Sequence, residues 1–200
     1  MKKIMMKAIL ATTLLAGSIL GQVGSAQATA AAKPTAPIMR DNLSKYGLVK
    51  DVELPVTVTA GGLSYTLEKI MIFDSKSKDA QVLSKTYGYN LGNAQYFIWT
   101  KITVENKSGS MVQQNVKDLK DKWRLNFGDL SKGEAYTSMP DKMTDIKNSK
   151  QSLWDWSLKS GEKLSTYQAY LYTGNFNYFK IRVDNRNNSI SKYIVEPKGY

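Results

Sequence analysis

The 200-residue chain contains no cysteine and no histidine. The first absence excludes disulfides, thiolate metal sites, iron–sulfur clusters and cysteine nucleophiles. The second excludes Ser-His-Asp triads, imidazole bases and His-ligated metals. Acid–base chemistry is left to carboxylates, and no cofactor is expected. Long apolar runs are missing too. The most apolar stretch, residues 8–20, includes Thr12, Thr13, Gly17 and Ser18 and is shorter than the roughly 20 residues that a bilayer core requires. No membrane span is therefore expected.

Positive charge is in excess, with 28 basic against 17 acidic residues. Part of it is concentrated at the start. Lys2, Lys3 and Lys7 precede the apolar stretch, and Ala26 and Ala28 then flank Gln27. A basic segment, a short apolar segment and two small residues at this spacing form a secretory signal peptide with its peptidase site. A lipoprotein would need a cysteine at the cut. Cleavage after Ala28 leaves 25 basic and 17 acidic residues, a net charge of +8. The expected location is extracellular, with association to the cell wall. The Lys-rich, cysteine-free composition matches exported proteins of Gram-positive type.

The chain divides into a signal peptide (1–28), a flexible leader (29–50) and a folded domain (51–200). The leader opens with the Ala-, Thr- and Pro-rich run TAAAKPTAP. Residues 38–49 have the makings of a short helix, with Asp41 or Asn42 at its cap and Gly47 at its end. From residue 51 the signal is that of strands. Residues 52–59 alternate and contain Pro55, as an edge strand does. Gly61 and Gly62 turn the chain into residues 63–73, giving a hairpin. Residues 74–80 read as a charged loop and 87–93 as a Gly/Asn loop. Residues 95–105 (QYFIWTKITVE) form the strongest strand signal, rich in aromatic and β-branched side chains. Alternation places Ile98, Ile102 and Val104 on one buried face. Shorter strands follow at 111–116, 122–127, 153–158, 164–173, 178–183 and 189–195, with residues 138–151 as a long loop or one helical turn. No helical stretch of a dozen residues intervenes, so the strands pair antiparallel. Seven to nine strands at this spacing make an all-β fold, a β-sandwich or a closed barrel.

Residues 63–70 (LSYTLEKI), followed by 96–107 (YFIWTKITVENK), are similar to a family of small secreted bacterial proteins. These have an immunoglobulin-like sandwich related to the immunoprotective extracellular antigens of mycobacteria. The shared features are a strand ending in V-x-N and the Ser160-Gly161-Glu162 turn before a long late strand. The resemblance covers roughly residues 52–196 and implies an antiparallel immunoglobulin-like β-sandwich. It assigns no catalytic residues.

The carboxylate pairs Asp118/Asp121, Asp141/Asp145 and Asp155/Glu162 are the candidates for glycoside hydrolysis, which needs two acids facing each other about 5–10 Å apart. All lie beside lysines in polar segments, as ordinary turn acids do. Ser75/Lys78 and Ser189/Lys192 match the Ser-x-x-Lys spacing of acyl-transfer enzymes but lie in a charged loop or an exposed strand. Residues 184–188 (DNRNN) are oxygen-rich, as a calcium loop is, yet carry one carboxylate and an arginine. They fit a hairpin turn better.

Aromatic residues are more informative. Trp154 and Trp156 share a strand face. With Phe179, Ile181 and Val183 turned inward, Tyr178, Lys180 and Arg182 point outward. Tyr170 and Tyr172 are expected beside them, with Tyr167, Ala169 and Leu171 inside. Such a basic-aromatic sheet face suits sugars or polyanions, and cross-strand pairing within the sheet is the alternative. The expected function is that of a secreted, non-catalytic module. It would bind an anionic cell-wall polymer or a surface protein through Tyr170, Tyr172, Tyr178, Lys180 and Arg182. Two alternatives remain: a carboxylate-dependent extracellular hydrolase, and a purely structural or antigenic protein. Nucleic acid is not an expected partner, because no motif for it occurs.

Overall fold

Side-chain alternation builds the first sheet. In β1 (Val56–Ala60) the two valines and the alanine are buried while Thr57 and Thr59 face out, as the two-residue repeat of a strand dictates. Gly61 and Gly62, with φ of +53° and +80°, turn the chain into β2 (Leu63–Asp74). Two consecutive positive φ angles match the right-handed twist of a tight hairpin. At Gly61 any side chain would also strike the backbone oxygen of Asn185, 2.4 Å from where a Cβ would stand. The computed structural model describes residues 39–115, 117, 118, 120–130, 147–149, 153 and 155–198.

After β2 come α1 (Lys78–Tyr87), β3 (Tyr96–Asn106), β4 (Val112–Gln114), β5 (Trp123–Gly128), β6 (Trp156–Leu158), β7 (Lys163–Tyr172), β8 (Tyr178–Asn185) and β9 (Asn188–Val195). Every strand pair is antiparallel. The strands form a sheet β1-β2-β3-β7, a sheet β5-β8-β9 and a two-stranded ribbon β4-β6. Leu67, Ile70, Ile72, Ile98, Ile102 and Val104 from the first sheet pack in one core with Leu125, Phe127, Phe179, Ile181 and Val183 from the second. The molecule is an antiparallel β-sandwich, and Ile98, Ile102 and Val104 are wholly buried together as expected. Successive strands β2 and β3 lie side by side in one sheet. In an immunoglobulin constant-type domain the third strand crosses to the other sheet.

Two segments differ from the sequence reading. Residues 78–80, read as part of a loop, begin α1. Ser77 caps it, its hydroxyl accepting from the Ala80 amide at 3.3 Å, and Gly88 ends it in the left-handed region at φ 71°. This is the usual serine-start, glycine-stop pattern. The helix buries Ala80 and Leu83 against Phe73, Phe97, Trp99 and Ala169, on the outer face of the first sheet. That face is therefore a second core, and part of β3 is covered on both sides. The short helix expected over residues 38–49 is a single 3-10 turn, Leu43–Tyr46, closed by Gly47 at φ 73°. It lies along the half of β2 that β1 does not reach. The Asn42 amide donates to the Ile72 carbonyl at 2.6 Å and accepts from its N–H at 2.8 Å, as a neighbouring strand would. Residues 138–146, 150 and 151 of the expected long loop lie outside the described residues. Among the described residues no helix is long and apolar enough to cross a membrane.

Candidate functional site

The five residues expected to form one outer face do not do so. Tyr170 and Tyr178 are 1% and 0% exposed. On β7 the inward positions are those of Tyr170 and Tyr172, which join the central core, while Ala169 and Leu171 point toward α1. The reversal has a physical cause. Because α1 covers the outer face, β7 carries apolar side chains on both sides, and alternation alone cannot tell them apart. Tyr178 is buried with its ring edge-on to Tyr193 at 6.3 Å. Lys180 and Arg182 do flank the inward Ile181, as expected. Lys180 Nζ lies 5.4 Å over the Tyr193 ring, and Arg182 grips Asp184 through Nε at 2.8 Å and Nη2 at 2.9 Å.

Arg182 leads to the site. It faces Arg124 across the β5–β8 pair, and both guanidinium groups converge on Asp184. Burial pushes the Asp184 carboxyl up, but hydrogen bonds from Arg182, Ser189 and Arg124 outweigh it and hold the group down at about 2. One carboxylate thus stands between two arginines. Beside this clamp an open crevice of about 300 Å³ is lined by Lys120, Asp121, Lys122 and residues 184–189. Lys120 and Lys122 have no ion-pair partner among the described residues. Arg186 reaches the crevice from the tight turn between β8 and β9. It stands at φ 50° and Asn187 at φ 62°, the left-handed pair that such a turn needs. Arg186 is steadied by the Ser108 hydroxyl at 3.2 Å and by that of Ser110. The crevice is electropositive: three cationic side chains and the clamp face Asp121 and an already neutralised Asp184.

Asp121 also walls a second, inner crevice of about 10 Å³. Gln114, Trp123, Arg124, Leu153, Trp156, Gln168 and Tyr170 complete its lining. The indoles of Trp123 and Trp156 meet at 4.3 Å between ring centres. Gln114 ties the polar wall together, donating to Asp121 at 2.6 Å and accepting from the Lys122 amide at 2.9 Å. Arg124 Nε is buried and meets no hydrogen-bond partner among the described residues. Burial drives the Tyr170 pKa far above the ordinary value, with smaller contributions from Tyr65 and Asp121. The Tyr65 and Thr100 hydroxyls are near enough to Tyr170 to influence it. Thr100 donates its own proton to the Gln168 carbonyl at 2.8 Å and keeps lone pairs that can accept, and the Tyr65 and Tyr170 hydroxyls interact with each other.

The other sequence candidates are occupied by local structure. Asp118 accepts from the Asn115 amide at 2.9 Å, and Glu162 from the Lys159 amide at 2.6 Å. The Ser75 hydroxyl donates to the Ala94 carbonyl, and Lys78 is an exposed first residue of α1. Ser189 and Lys192 lie on the exposed half of β9. Trp156 is buried; its expected companion Trp154, like Asp141 and Asp145, lies outside the described residues. The oxygen-rich turn spends its only carboxylate on two arginines. Among the described residues no cluster of three or more acidic side chains could hold a metal. Sequence reasoning missed Lys120, Lys122 and Arg124. The K-D-K run at 120–122 was the available signal, but its meaning depends on the distant turn that folds beside it.

No family model matches the chain, and no curated protein or solved structure is significantly similar to it.

Proposed function

We propose that this chain is a secreted, non-catalytic β-sandwich module that holds an anionic polymer of the cell envelope. The observation that carries the reading is the crevice in which Lys120, Lys122 and Arg186 stand beside a carboxylate that Arg124 and Arg182 already neutralise. Cations facing one open cleft concentrate anions there. This site, at the end of the β8–β9 hairpin, replaces the expected face of Tyr170, Tyr172, Tyr178, Lys180 and Arg182, of which Tyr170 and Tyr178 are core residues.

Acid–base catalysis has less support. A general acid needs a carboxyl raised toward neutrality, whereas among the described residues the carboxyls that move, Glu68 and Asp184, are lowered. Glu68 is held down by hydrogen bonds from Lys101 and Thr103.

The test is sedimentation of the protein with purified cell walls at low and high salt, comparing the wild type with Lys120→Glu/Lys122→Glu. Wall binding should fall steeply with salt, since exposed charges are screened over about 8 Å at physiological ionic strength. The double variant should lose most of it while its thermal unfolding is unchanged, because neither lysine packs in the core. Undiminished binding by a folded double variant refutes the assignment of the crevice.

A further inference from the structure

The outer crevice does not end at its own rim. We infer that an anionic chain held in it continues over Arg186 and across the β6–β7 turn to Lys159, so that the site takes a run of linked anionic groups on a linear polymer rather than one isolated group. The inference rests on the reading of the crevice given above and adds the class of its ligand.

Arg186 is where the two parts join. It lines the crevice, yet its guanidinium donates to the hydroxyls of Ser108, at 3.2 Å, and Ser110, both between β3 and β4. Ser108 is shared. Its carbonyl accepts from the Ser160 hydroxyl at 2.6 Å, in the turn between β6 and β7. One serine therefore touches both Arg186 and the residue next to Lys159. Lys159 is exposed and has no ion-pair partner among the described residues. A chain leaving the crevice past Arg186 meets its next cation there.

The acids at this end are engaged. Glu162 accepts from the Lys159 amide at 2.6 Å. Glu105 stands between Lys107, at 3.7 Å, and Lys163, at 3.4 Å. The path from the crevice to Lys159 is therefore one on which anions gather.

The floor under that path is fixed before any ligand arrives. Asn106 is wholly buried. Its side chain accepts from the Ser108 amide at 3.0 Å and hydroxyl at 2.7 Å, and donates to the Leu158 and Ser110 carbonyls at 2.9 and 2.8 Å. Its own carbonyl accepts from the Gly161 amide at 2.7 Å. Cations on a framework already ordered lose little freedom on binding. A single anion engages one end of the row. A linear polyanion engages both, its second contact being intramolecular.

The experiment follows backbone amide resonances of the wild type with long-chain polyphosphate and with inorganic phosphate, at equal phosphate content. Polyphosphate should shift Lys122, Arg186, Ser160 and Gly161. Inorganic phosphate should leave Ser160 and Gly161 in place. Lys159→Gln should weaken polyphosphate binding about five-fold and lower the slope of log affinity against log salt by about one. Lys78→Gln makes the same change of net charge beyond the opposite end of β2 and should do neither. Ser160 and Gly161 unmoved by polyphosphate while Lys122 and Arg186 shift, or moved equally by inorganic phosphate, overturns the inference and leaves the anionic reading in place. A Lys159→Gln variant that binds as the wild type does has the same meaning. No shift at any of the four residues overturns both.

Discussion

The Arg124–Asp184–Arg182 clamp can be tested through its charge. In the folded protein the Asp184 carboxyl titrates at about 2, against an ordinary value of 3.8. Its side chain is 24% exposed, so the interaction is only partly screened by solvent. At about 1.4 kcal/mol per pK unit the depression corresponds to about 2 kcal/mol of folding stability. A carboxyl depressed on folding stabilises the native state above its unfolded value, so the whole contribution is present at pH 7. It is lost as pH falls from about 4 toward 2. Asp184→Asn keeps the shape and removes the charge. Urea unfolding at pH 7 should place the variant about 2 kcal/mol below the wild type, and the gap should close as the series descends through pH 4 to 2. The variant also leaves two arginines without their counter-charge beside the crevice, so it should bind anionic polymer more tightly at low salt while being less stable. A variant as stable as the wild type at pH 7, or a gap indifferent to pH, would refute the clamp.

Two further predictions concern the framework. Ile102 is wholly buried in the central core, so Ile102→Ala should cost about 2–5 kcal/mol in denaturant unfolding; a cost below half of that range's lower end would mean a misplaced register. Ser77 caps α1 through its hydroxyl, so Ser77→Ala should cost about 1 kcal/mol, and Ser77→Asp should largely restore it by thermal melt.

What the sequence disclosed follows from how far each signal reaches. β3 was legible because its aromatic and β-branched content and its two-residue alternation are local properties of residues 96–106. The β8–β9 hairpin was legible for the same reason: Asn and Arg in a two-residue turn between apolar runs specify it alone. α1 was not, because only Ala80 and Leu83 among its apolar residues are deeply buried, too thin a stripe to announce a helix in a ten-residue polar segment. Its absence from the reading then reversed β7, since Ala169 and Leu171 look like core residues unless something else covers them. The crevice was hidden for a different reason. Lys120 and Lys122 precede β5 and Arg186 follows β8, and only the β5–β8 pairing makes them neighbours.

The 3-10 turn ahead of the sandwich bears on what happens to this protein before and after it folds. An unpaired stretch of β-strand is a template on which another chain can add itself, and proteins that must stay dispersed cover or interrupt such edges. The half of β2 beyond β1 is such a stretch, and Asn42 occupies both backbone groups of Ile72 while the Tyr46 hydroxyl adds a second donor to the same carbonyl at 3.1 Å. This turn, within the segment expected to be a flexible leader, is thus a guard against strand-to-strand polymerisation. A chain trimmed past Gly47 would lose that guard together with Leu43, a residue of the central core.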